Sequence, residues 1–72
     1  MSDYSACRDA DRRWHVRERP GGPSLSTHDR EQEAIREAVR RCRRSGGGTV
    51  SVFGPDGRLH RRAGVGGDHA AR

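Results

Sequence analysis

The hydrophobic positions of this chain fall into three short patterned blocks separated by strong turn signals. The first block, Trp14-His15-Val16-Arg17-Glu18, alternates apolar and polar residues with an aromatic and a β-branched member, which predicts a half-buried strand. Pro20-Gly21-Gly22-Pro23 breaks the chain as a turn. Ser24-Leu25-Ser26-Thr27 then offers a short partner strand with Leu25 as its inward anchor.

The second block is helical. Ala34, Ile35, Ala38, Val39 and Cys42 recur at the spacing that paints one apolar stripe on a helix running to about Ser45. Asp29 is placed to cap the first turn with Gln32 closing a capping box, and Thr27 is the competing cap. Acidic Asp29, Glu31 and Glu33 at the start and Arg40, Arg41, Arg43 and Arg44 at the end both complement the helix dipole. Glu37 and Arg41 add a pair one turn apart. Gly46-Gly47-Gly48 is read as the helix stop.

The third block is Thr49-Val50-Ser51-Val52-Phe53, a tight turn at Gly54-Pro55-Asp56-Gly57, and Arg58-Leu59-His60-Arg61-Arg62. Two alternating runs around a proline–glycine turn predict a hairpin. Val50, Val52 and Leu59 are expected to face in, and Thr49, Ser51, Phe53, Arg58, His60 and Arg62 to face out. The expected fold class is α+β: a two-layer β-β-α-β-β domain over residues 13–65, with one helix on one face of an antiparallel sheet. Residues 1–12 and 66–72 lack periodicity and are read as flexible tails.

At this level the residues resemble the small bacterial domain-of-unknown-function family numbered 2188. The resemblance is carried by the tryptophan strand Trp14-His15-Val16 and by the acidic-started helix with Glu33-Ala34-Ile35 and Ala38. The valine-rich strand and the Gly54-Pro55-Asp56-Gly57-Arg58-Leu59 hairpin complete it. The segment between Pro20 and Thr27 departs most, with few strand formers where the family shows a clearer second strand. The resemblance implies the fold and brings no activity, cofactor or catalytic residue.

Composition narrows the functions. Leu, Ile, Val and Phe total nine of 72 residues, so the core is thin and an enclosed catalytic pocket is not expected. No apolar run approaches bilayer length, and the polar start MSDYSACRDADRR is unlike a secretory leader. A cytoplasmic protein with free thiols at Cys7 and Cys42 is therefore expected. The scattered Cys and His residues lack ligand spacing, so no metal or other cofactor is expected. Ser51 and His60 on neighbouring strands lack a third group and a nucleophile turn. Gly46-Gly47-Gly48-Thr49 follows a helix and lacks the lysine of a phosphate loop. The reading is of a non-enzymatic protein with no small-molecule substrate.

Charge supplies the remaining candidate. The chain carries 15 arginines, no lysine and 10 acids, for a net charge of +5 and a mean hydropathy of −1.12. If the strand parities hold, one sheet face shows Arg13, His15, Arg17, Thr49, Ser51, Phe53, Arg58, His60 and Arg62. An exposed aromatic among arginines suits stacked bases and phosphates, which makes DNA or RNA a candidate partner. The expected contact residues are Arg13, Arg17, Phe53, Arg58, His60 and Arg62, with Arg40 to Arg44 adding phosphate contacts. The alternative is a homodimeric or partner-binding interaction module, using free strand edges with Phe53 and Trp14 as candidate anchors.

Overall fold

A computed structural model describes residues 2–19 and 21–67. It is α+β, with one helix on one face of a five-stranded sheet. The elements are β1 (Ser2–Arg8), β2 (Trp14–Arg17), β3 (Ser26–His28), α1 (Glu31–Arg44), β4 (Gly47–Phe53) and β5 (Leu59–Gly66). The strand order is β3-β2-β1-β4-β5. The pairing of β1 with β4 is parallel and the others are antiparallel, so the sheet is mixed and not the antiparallel one expected.

The largest correction concerns the segment read as a flexible tail. Residues 2–8 form β1, the central strand, with Ser5 and Ala6 buried. Its alternation is carried by Tyr4 and Ala6 on one side and Ser5 and Cys7 on the other. Hydrophobicity hardly distinguishes these sides, because a central strand flanked by small residues gains its apolar contacts from its neighbours. Val16 of β2 opposes Ala6 from one side and Val52 of β4 from the other. The tail predicted for residues 66–72 begins inside β5, which ends at Gly66, and its last five residues lie outside the described ones.

The first predicted strand and the helix are found close to their expected positions. The partner strand is β3, shifted to Ser26–His28, and Leu25 is exposed instead of anchoring it. A backbone bond from Leu25 N–H to Val16 O, at 2.7 Å, holds this approach. The expected capping box is not formed. Arg30 is the N-cap in an extended conformation, and no side chain caps it, because α1 starts one residue later than an Asp29 cap requires. The Glu37–Arg41 pair is made at 2.8 Å. At the other end Ser45 N–H donates to Arg41 O and Cys42 O.

The three glycines after α1 divide their work. Gly46, at φ 101°, turns the chain out of the helix, while Gly47 and Gly48 already belong to β4. A Cβ on Gly48 would run into the Ser2 carbonyl, so the absence of a side chain there lets β4 lie against β1.

The core lies between α1 and the sheet and uses small side chains. Ala34, Ala38 and Cys42 of α1 meet Ala6, Val16 and Val50, with Tyr4, Trp14, Val39 and Val65 around them. Val52 is also buried, as its parity predicted. Cys42 is the core residue expected, and its thiol donates to Ser2 O at 3.4 Å. Burial, followed by the nearby charge of Asp3, pushes that thiol's pKa up. No helix among the described residues is long and apolar enough to cross a membrane.

Candidate nucleic-acid interface

The sheet face opposite α1 has no covering layer among the described residues. Pairing and alternation put His15 and Arg17 of β2, Ser5 and Cys7 of β1, Ser51 and Phe53 of β4, and Arg62 of β5 on it. Four of the six expected contact residues need comment. Arg13 lies in the turn before β2, exposed, with its amide donating to Asp11 Oδ1 at 2.9 Å. Arg58 lies in the turn before β5, and its guanidinium is 3.8 Å from Asp56. His60 leaves the face. A register shift at Val52/Phe53 pairs Phe53 with Leu59 and Val52 with Arg61, so His60 drops out of the alternation and its ring covers Gly54. The same bulge corrects Leu59, expected inside and found 45% exposed.

Arg17 is the fourth, and its charge is already engaged. Its Nη2 donates to Asp9 Oδ2 at 2.9 Å and its Nε to Gly22 O at 2.8 Å, while Nη1 lies 3.8 Å from the Cys7 sulfur. The Cys7 thiol donates to Asp9 Oδ1 at 3.3 Å. The Arg17 hydrogen bond holds the Asp9 carboxyl below its usual range. Burial first, then the hydrogen bond to Asp9 and its charge, raise the Cys7 thiol. A raised thiol is a poor nucleophile at neutral pH.

His15 extends this network. Nε2 lies 3.0 Å from Asp11 Oδ2 and 3.6 Å from Asp9 Oδ2, and Nδ1 lies 2.8 Å from Ser24 Oγ. Ser24, His15 and Asp11 thus form a hydroxyl–imidazole–carboxylate chain. The Ser24 hydroxyl donates to Ser26 O at 3.1 Å. The chain ties the β1–β2 turn to the segment leading into β3. The Asp11 carboxyl is lowered first by the Arg13 amide and then by the His15 hydrogen bond.

Phe53 and Arg62 stay together on the open face. Arg62 Nε donates to Ser51 Oγ at 3.4 Å, and Phe53 stands between two shallow cavities. The larger, of about 240 Å³, is also bordered by Asp3 and Glu18. This face therefore mixes signs, and it is not the arginine-rich surface the parities implied. Asp9 and the other network acids were missed because residues 1–12 were read as a tail.

A cluster of unpaired arginines lies on α1. Arg36, Arg40, Arg43 and Arg44 border a shallow depression of about 480 Å³ floored by Ile35 and Val39. Among the described residues none of these four arginines has a carboxylate within 4 Å. No group of three metal-ligating side chains occurs among the described residues.

These observations define a small two-layer α+β protein with one covered sheet face, one open polar face and a basic helix. Over residues 6–63 the chain matches the profile of DUF2188, uncharacterized proteins conserved in bacteria, and it belongs to that family. No curated protein and no solved structure was found to match it.

Proposed function

We propose that the protein is a small non-enzymatic binding protein that contacts nucleic-acid backbones without reading sequence. The observation that supports this most is the row of four unpaired arginines on α1, which border one depression together with Ile35 and Val39. Arg36, Arg40 and Arg44 follow one another at single-turn intervals, each step advancing about 6 Å along the axis. Guanidinium groups spaced in this way suit a run of phosphates better than one compact anion. The open sheet face is secondary, contributing Arg62 beside Phe53, with Arg13 and Arg58 at its ends.

The test is fluorescence anisotropy of labelled random DNA and RNA, single- and double-stranded, across a salt series. Binding should weaken steeply with salt. Arg40→Glu with Arg44→Glu should reduce affinity by about tenfold or more and flatten the salt slope by about two, because fewer counterions are released. Arg58→Glu with Arg62→Glu should cost less. Affinity unchanged by the α1 pair would remove α1 as the surface, and no binding at low salt would remove the reading.

A second reading, a protein-interaction module, is favoured by a different observation. Strand β5 lies at the edge of the sheet and is eight residues long, while the opposite edge strand β3 has three.

A further inference from the structure

The geometry points to self-association: we infer that the free edge of β5 pairs antiparallel with β5 of a second copy of this chain. This rests on the interaction reading and is independent of nucleic-acid binding. Proteins usually blunt a sheet edge by keeping it short or by placing proline or charge along it. β3 is blunted by its length. β5 is the longest strand of the sheet, contains no proline, and has no described neighbour beyond it.

Charge divides β5 into two halves and selects the register. Residues 59–62 carry His60, Arg61 and Arg62, while Ala63-Gly64-Val65-Gly66 is neutral and has no side chain larger than valine. A two-fold axis through the basic half would set arginine against arginine, which is unfavourable. An axis through Gly64 sets the neutral half against itself, Ala63 opposite Val65 of the second copy, both on the α1 side of the sheet. The two Arg62 residues are then four strand positions apart, about 14 Å along the ladder. That exceeds the screening length of about 8 Å at physiological salt, so the repulsion is small.

The symmetry has a geometric consequence. Antiparallel pairing of two edges puts the axis perpendicular to the sheet, so both copies of α1 lie on the same side of a ten-stranded sheet. Since α1 packs mainly over β1 and β4, the two helices stand about four strand spacings apart, roughly 19 Å. With helix diameters of about 10–12 Å, this leaves a channel about 8 Å wide between them. On the side of Val50 and Val52, β5 presents Ala63 and Val65, so these residues of both copies would floor the channel.

The full-length chain should be followed by sedimentation velocity from about 10 µM to about 1 mM, the range suited to a small interface. A monomer–dimer equilibrium is expected. Backbone N–H groups alternate between the two edges of a strand, so of Ala63→Pro and Gly64→Pro one removes a bond to β4 and the other an outward donor. The variant that keeps native circular dichroism should be monomeric throughout the range. A monomeric wild type overturns the inference. A dimer that persists in the folded proline variant also overturns it, while leaving the interaction reading on another surface. Hydrogen exchange of the wild type decides the case if both variants unfold. Protection at every second amide of β5 at low concentration should become protection at successive amides at high concentration. An alternating pattern that never changes overturns the inference.

Discussion

The two faces of the sheet are stabilised by different physics. Under α1, alanine, valine and cysteine are buried between helix and strands, and the covered side chains are nearly all apolar. On the open side a chain of polar contacts runs from Cys7 through Asp9 and Arg17 to Gly22, with His15 joining Asp11 to Ser24. Close packing is intolerant of change because displaced atoms have nowhere to go. Solvated ion pairs are tolerant because water replaces much of what is lost. A chain with so few large aliphatic residues can therefore fold by concentrating its small apolar groups on one side of β1.

The largest expected effect lies where β4 touches β1. Gly48→Ala should destabilise the protein by about 3 kcal/mol, since the added carbon meets the Ser2 backbone where β1 pairs with β4 and Gly48 holds φ 153°. Gly64→Ala on β5 meets nothing within 4 Å and should change stability by less than about 0.5 kcal/mol. Urea unfolding followed by Trp14 fluorescence measures both, and equal effects would break the distinction between centre and edge.

Next in size is the covered face itself. Val16 is fully buried between β1 and α1, and Val16→Ala should cost about 2 kcal/mol from lost transfer energy and the cavity left behind. A cost below about 0.5 kcal/mol would mean that the packed layer is looser than its burial implies.

The smallest effect belongs to the open face. Asp9→Asn should cost less than about 1 kcal/mol at pH 7, because the Asp9–Arg17 pair is partly solvated. Arg17 lowers the Asp9 pKa in the folded state, so its contribution is present above the ordinary aspartate value of about 4. It fades as pH falls through the lowered folded value. The difference in urea midpoint between wild type and variant should therefore be smaller at pH 3 than at pH 7. A difference that widened in acid would contradict the pairing.

The legibility of these regions in the sequence follows the same division. The helix was readable because Ala34, Ala38 and Cys42 repeat at its period, and β4 because Val50 and Val52 alternate between polar residues. β1 was hidden because its inward residues are Tyr4 and Ala6 and its outward ones Ser5 and Cys7, a contrast too weak to register as a pattern. With β1 unread, Asp9 and Asp11 could not be placed beside Arg17 and His15, and the open face looked more basic than it is. The bulge that redirects Leu59 and His60 has no signature in residues 58–62. Alternation carried through those residues placed both on the wrong side.

The parallel pairing of β1 with β4 sets the order in which the chain can complete itself. Every partner of β1 in β4 lies 46 positions further along, so on a ribosome the first strand emerges long before the second of its two neighbours exists. Until β4 follows α1 out, β1 is a central strand with one open side, held only through its short hairpin with β2. Such distant pairing slows closure and leaves an exposed strand edge in the meantime. For so small a protein, the risk of misassociation is then greatest during synthesis and refolding, and lies at the middle of the sheet.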